Sequence, residues 1–265
     1  MCRFETAGAL YIMDGIKKVS MFTAPIAGLV LLWEALARSG LFNINLFPPP
    51  SVVFLSTKEL ILNGYLIRDI GYSVMRALAG FGLGSFLGIG IGILTGRLKL
   101  FNRALMPLIQ LLRPIPPIAF VALALVWFGL GEPSKIFLVT WGVFFPVWIN
   151  TYLGVTKVDP TYLNAAKCLG AKESTIVREI VIPATLPLII AGMRVGVAIA
   201  FLNLVAAEMA GAYVGLGFRV EFSHMIFRVD HMIVCIIFLG ILGACSDKGF
   251  AWLVEKLFPW YAGGQ

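Results

Sequence analysis

Three charged side chains, Arg113, Arg194 and Glu208, stand inside long apolar runs of a 265-residue chain in which 59% of residues are hydrophobic and 13% are charged. A charge in hydrocarbon is expensive, so each needs an opposite partner or a wet surface. Two kinds of chemistry fit: a buried structural pair, or a polar wall along which an ion or polar solute passes. Glu208, near the expected end of its apolar run, can also reach water. Arg113 opens the run Arg113-Pro114-Ile115-Pro116-Pro117 in the middle of an apolar stretch. Proline removes backbone donors, and a bilayer tolerates the freed carbonyls only where protein or water receives them. A broken helix carrying an arginine at mid-depth therefore points to an aqueous cavity.

Bond-making chemistry finds no foothold. Cys2, Cys168, Cys235 and Cys245 form no Cys-x-x-Cys pair, and His224 and His231 are placed outside the spans, so no metal or thiol site is indicated. Cys235 and Cys245 fall on one predicted helix, about 15 Å apart along its axis, too far to bridge, and are read as core residues. No Gly-x-x-x-x-Gly-Lys-Ser/Thr loop is present, so any use of ATP belongs to another polypeptide. An intramembrane enzyme would need a nucleophile with its base, or metal ligands, within the spans.

The other polar feature is an insert, residues 159–183, in a chain whose mean hydropathy is +0.91. Asp159 can cap a helix that Pro160 opens, and Gly170 can end it with positive φ. A second, turn-rich segment runs on to Pro183. The insert reads as helix, sharp bend, helix, and a purely lipid-spanning chain has no use for it.

The elements that must position these residues are membrane helices. Apolar runs predict six spans, near 21–37, 71–95, 104–128, 135–156, 184–209 and 231–254. With an even number of spans both ends share a side. Arg3, Lys17, Lys18, Arg97, Lys99, Arg103, Lys157, Lys167, Lys172, Arg178 and Lys256 fall on that side, 11 in all, against 6 facing away (Arg38, Lys58, Arg68, Lys135, Arg219 and Arg228). The bias puts both termini and the insert in the cytoplasm. It also accounts for the net charge of +7 without a nucleic-acid partner. Lys17 and Lys18 followed by an apolar run ending Ala35-Leu36-Ala37 outline a cleavable signal, but Glu34 within the run and the long leader favour a retained helix.

Gly80, Gly84, Gly88, Gly92 and Gly96 recur every fourth residue of the second span, and Gly192, Gly196 and Ala200 repeat the device in the fifth. Such stripes let membrane helices approach closely. They fit a sliding surface or, more simply, tight packing. Pro48-Pro49-Pro50 followed by Ser51 predicts a serine-capped helix, 51–63, on the outer face.

The insert resembles the cytoplasmic signature of binding-protein-dependent ABC importer permeases: Glu-Ala-Ala, three residues, Gly, nine residues, Ile, one residue, Leu-Pro. Here it stands as Asn164-Ala165-Ala166, Gly170, Ile180-Val181-Ile182-Pro183, departing at Asn164 and Ile182. Ser73-Val74-Met75-Arg76, Arg113-Pro-Ile-Pro-Pro117, Trp127-Phe-Gly-Leu-Gly-Glu132, Phe144-Phe-Pro146, Asn150-Thr151, Val205-Ala-Ala-Glu208 and Gly215-Leu-Gly217 resemble the subfamily serving nitrate, taurine, alkanesulfonate and bicarbonate uptake.

The resemblance implies an all-α integral membrane protein with the type I ABC importer permease fold and a cytoplasmic coupling helix. It implies that Asn164, Ala165, Ala166, Lys167, Leu169, Gly170 and Lys172 dock an ATPase, which binds ATP and Mg; this chain carries no cofactor. The implied partners are a second permease copy, two ATPase subunits, an outer solute-binding protein meeting loop 210–230, and membrane lipid. Arg113, Pro114, Pro116, Pro117, Asn150, Arg194 and Glu208 are the candidate pathway residues, and the implied cargo is a small anion. A neutral or aromatic vitamin precursor is the alternative cargo, and a carrier or channel working alone is the alternative class. The expected division is a cytoplasmic segment 1–20, a first helix and outer-face segment 21–70, a permease core 71–256 and a tail 257–265, in a bacterial inner membrane.

Overall fold

Five glycines set the central contact of the fold. In the computed structural model, which describes residues 24–259, they lie along α3 (Tyr65–Arg97) and press on α6 (Glu132–Thr156). Gly80 meets Val139, Gly84 Val143, Gly88 Val147, Gly92 Thr151 and Gly96 Val155, each partner 59 residues further along, so the helices run parallel in one constant register. A Cβ on any of the five would come within 2.5 to 2.9 Å of a side-chain atom of α6. Gly82 and Gly90 have open space instead. Contact this close at five successive turns is fixed packing, and it decides against a sliding surface.

The third long helix, α9 (Ile182–Gly211), lies antiparallel to α6: Gly142 faces Asn203, and Gly154 faces Thr185. Val139, Val143, Val147, Ala200 and Leu204 form the shared core of these three helices. α11 (Val229–Leu257) packs on α9, on α2 (Pro50–Leu62) and on α10 (Leu216–Met225). Residues 24–38 form a helix, α1, that brings Trp33 to a second core with Leu66, Leu216 and Val234.

α3, α6, the unit Glu173–Gly211 and α11 are each long and apolar enough to cross a membrane, and α4 (Lys99–Leu112) with the segment Pro117–Phe128 forms a pair bent by 89°, the geometry of a broken span or a re-entrant loop. The four helices account for four of the six expected spans, and the bent pair lies where the span 104–128 is expected. The sixth, 21–37, begins outside the described residues, as do the segment 1–20 and positions 260–265 of the tail.

Three local expectations need correction. The helix at 50–62 is not capped by Ser51: its N-cap is Pro49, and the carboxylate of Glu34 on α1 accepts from the Ser51 N–H at 3.1 Å and from its hydroxyl at 2.9 Å. An anionic group at a helix N-terminus does the work of a cap from another element. The segment before Pro183 is not turn-rich: α8 (Glu173–Ile176) passes through a π stretch, Val177–Val181, straight into α9. The wider turn absorbs a proline that lacks its N–H. Only Cys235 of the described cysteines is buried; Cys245, expected in the core, is exposed on α11, as is Cys168 at the end of α7 (Pro160–Cys168). His231 belongs to the first turn of α11, within contact of Arg228 at 2.7 Å.

Candidate functional site

The bend between α4 and α5 (Val121–Phe128) follows from its prolines. Arg113 closes α4 by donating to Ile109 O at 2.9 Å. Residues preceding proline are pushed out of helical conformation, and Pro116 is extended (φ −66°, ψ 140°) before a 3₁₀ turn, Pro117–Phe120, resumes. The bend stands off from α6 and α9 and leaves a cavity of about 370 Å³. Arg113, Pro116 and Pro117 line one side; Pro146, Asn150 and Asn203 line the other. Pro114 is exposed in the same bend. The cavity wall contains no carboxylate, and Arg113, itself exposed at the cavity mouth, makes no ion pair or side-chain hydrogen bond among the described residues.

Arg194 and Glu208 are elsewhere. Arg194 pairs bidentately with Asp247 of α11, at 3.0 and 3.1 Å, on the outside of the bundle. Glu208 is buried at the end of α9, accepting from Arg76 Nη1 at 2.7 Å, Ser73 Oγ at 2.9 Å and the Gly217 N–H at 2.8 Å. It reaches neither water nor the cavity. Arg76 also grips Glu132 with two bonds of 2.6 Å, and beside it Asp69 holds Arg219 at 2.7 Å. Lys135 donates to the carbonyls of Leu130 and Gly131 at 2.6 and 2.9 Å. This network joins α3, α6, α9 and α10 at one end of the bundle. The connection 210–230 is mostly helix α10, and its Gly215 and Gly217 are explained by close approach: a Cβ at Gly215 would lie 2.4 Å from Glu208 Oε1.

At the opposite end stands α7, the first helix of the insert. Asp159 Oδ1 accepts from the Thr161 N–H at 2.8 Å, and this bond holds its carboxyl below the usual carboxylate range. Gly170 has φ +76°, its N–H bonds to Lys167 O and the N–H of Ala171 to Ala166 O, the paired bonds of a Schellman ending. Leu163, Ala166 and Ala171 pack against a core of Val155, Val158, Ile176 and Val181. Ala166 thus faces its own chain, whereas Asn164, Ala165, Lys167, Leu169, Gly170 and Lys172 are exposed. Tyr162 and Leu169 stand out, 65% and 88% exposed, as apolar surface on a polar segment. Arg97 at the end of α3 pairs with Glu173, tying the insert to the central helices.

Asn203, Tyr162, Asp69 and Arg219 escaped the sequence reading. Asn203 carried a usable signal, a polar side chain inside the apolar run Ile199–Val205. The pairing of Asp69 with Arg219 joins residues 150 apart and leaves no local trace.

The family model of the binding-protein-dependent transport system inner membrane component matches residues 84–258. A protein named as a putative aliphatic sulfonates transport permease, SsuC of Bacillus subtilis, is 36% identical over 234 residues, 88% of this chain and 85% of that one. The bicarbonate transport system permease protein CmpB of Synechococcus elongatus is 34% identical, covering 91% and 89%. The taurine transport system permease protein TauC of Escherichia coli is 30% identical, covering 92% and 91%. Among solved structures, an inward-facing form of the MetNI methionine ABC transporter shares the fold with a TM-score of 0.64 at 18% identity, over 74% of this chain and 97% of that one. With about two thirds of its length inside the family model and relatives aligned almost end to end, the chain belongs to the binding-protein-dependent transport system inner membrane components and is a permease subunit of an ABC importer, with ATP hydrolysis left to a separate partner.

Proposed function

We propose that two copies of this chain form the passage of an importer that carries a small anionic solute into the cell. The observation behind the substrate class is the cavity of about 370 Å³ in which Arg113 is the one charged lining residue among those described and has no carboxylate to neutralise it. A fixed positive charge lowers the cost of stripping water from an anion and opposes a cation. The relatives named for sulfonates, taurine and bicarbonate support the same class.

The working parts follow from the two ends. The Lys/Arg bias supports a cytoplasmic position for the insert, both termini, the segment 1–20 and the tail 257–265. There α7 presents Asn164, Ala165, Lys167, Leu169, Gly170 and Lys172 to a groove of one ATPase per chain, with Tyr162 added to the face and Ala166 anchoring it from behind. ATP and Mg are held by those ATPase subunits. Their closure pushes α7, and the Arg97–Glu173 pair and the glycine-locked α3 and α6 carry the movement into the core 71–256. At the far end the connection 210–230, mostly α10, faces an outer solute-binding protein. Lipid covers the remaining apolar faces.

Replacing Arg113 with Gln in the full complex, reconstituted in vesicles with its binding protein, tests the reading. Anion uptake should fall about tenfold or more while the complex still assembles. Unchanged anion uptake in an intact complex would reject it.

A further inference from the structure

The amide nitrogen of Asn203 is buried without an acceptor, in a residue that lines the Arg113 cavity. Its place is made by Gly142: a Cβ there would fall 1.6 Å from Asn203 Nδ2. The neighbouring polar groups leave it unserved. The Gly142 carbonyl, which Pro146 deprives of its helical donor, is a free acceptor, yet it takes no bond from Asn203 Nδ2. Asn150, the other amide of the lining, spends its own nitrogen on Pro146 O at 2.8 Å. Asn203 is thus the lining amide whose donor capacity goes unused among the described residues.

A buried donor left unmet is unfavourable, and the cost is recovered by any acceptor that reaches it. The terminal torsion of asparagine is broad, so rotation about it can turn the amino group from Gly142 toward the cavity that the residue lines, without moving the backbone. Arg113 supplies charge to the same space, and planar guanidinium and carboxamide donors together suit an anion with several oxygen acceptors.

We propose that Asn203 is a specificity-determining residue of the passage: it hydrogen-bonds one oxygen of a small oxyanion whose charge is met by Arg113. The proposal rests on the anion reading of the cavity. It would make Gly142 a positioning residue, small so that the amide can turn.

The test uses the whole complex in vesicles, with radiolabelled taurine, methanesulfonate and bicarbonate as probes and recovery of the assembled complex as the control for folding. Asn203→Asp keeps the shape but replaces the donor with a negative charge, and Asn203→Leu keeps the bulk without polarity. The Asp variant should lower uptake about tenfold or more, the Leu variant less, and both should change the ratio among the three probes. A structural role would lower all three in proportion to lost complex. Wild-type rates and ratios in Asn203→Asp, or a uniform loss tracking assembly in both variants, would overturn the assignment while leaving the anion reading in place. A wild-type complex that moves an uncharged solute and none of the three probes would overturn both.

Discussion

Arg76 and Glu208, 132 residues apart in sequence, meet at 2.7 Å with side chains 2% and 0% exposed. Removing Arg76 would leave the Glu208 charge buried without a cation, and removing Glu208 would leave Arg76 with Glu132 as its one carboxylate. Glu208→Ala would leave the Ser73 Oγ and Gly217 N–H donors unmet and take from Arg76 one of its two carboxylates, a loss of about 3–5 kcal/mol. The thermal unfolding midpoint of the purified complex should drop, and proteolysis should appear first between α9 and α10, where Gly215 and Gly217 wrap the missing carboxylate. Glu132→Ala should be milder, because its side chain is 39% exposed and water can replace it. Equal losses from the two variants would contradict the network as described.

The glycines of α3 divide into two classes that sequence spacing alone does not separate. A Cβ at Gly88 would meet Val147 Cβ at 2.9 Å and backbone atoms of Phe144 and Trp148 at 3.0 Å, so the helices must part. At Gly90 nothing lies within 4 Å. Gly88→Ala should therefore lower the melting temperature of the complex, while Gly90→Ala should leave stability unchanged or raise it by up to about 1 kcal/mol through helix propensity. A loss in Gly90→Ala as large as in Gly88→Ala would mean that the open face is packed against something else.

What could be read in advance follows from how local the physics is. The Asp159 cap, the positive φ of Gly170 and the proline break after Arg113 are decided by a few consecutive residues, and each appears where the sequence places it. The glycine stripe announced a close contact but not its partner, since the register with α6 joins residues 59 apart. Whether Arg113, Arg194 or Glu208 faces a cavity depends on which helix stands opposite. One apolar run looks like another, so the partners Asp247 and Arg76 were invisible as partners. The orientation of Ala166 was not legible for a related reason: the motif places it on a helix of nine residues without saying which side is covered, and packing against Val155, Val158 and Ile176 decides that.

Asp159 gives a prediction in pH. Its carboxyl titrates below the ordinary 3.8 because the charged form accepts the Thr161 N–H. A depressed folded pKa means that the cap contributes fully above about pH 4, the unfolded value, and is lost as pH falls through the folded one. The hydrogen-exchange protection factor of the Thr161 amide should therefore be flat from neutral to weakly acidic pH and fall below that window. An asparagine in its place accepts the same bond without titrating, so in Asp159→Asn the acid-side drop should vanish. If both proteins lose protection alike, another group governs the start of α7.

Two alanines, adjacent in sequence, separate docking from folding. Ala165 is exposed on α7, while Ala166 packs against the core below it. Ala165→Glu should leave the melting of the permease unchanged and abolish copurification of the ATPase, because it adds a charge only to the docking face. Ala166→Glu should lower both, since burying a carboxylate against Val155 and Ile176 displaces the helix itself. Gly170 adds a third arm. Its φ of +76° strains any ordinary side chain by about 1–2 kcal/mol, whereas asparagine tolerates it. Gly170→Asn should then keep ATPase binding and ATP-driven uptake, and Gly170→Leu should lose them although no neighbouring atom stands within 4 Å. Normal copurification in Ala165→Glu and Gly170→Leu together would remove α7 as the element through which the ATPase acts.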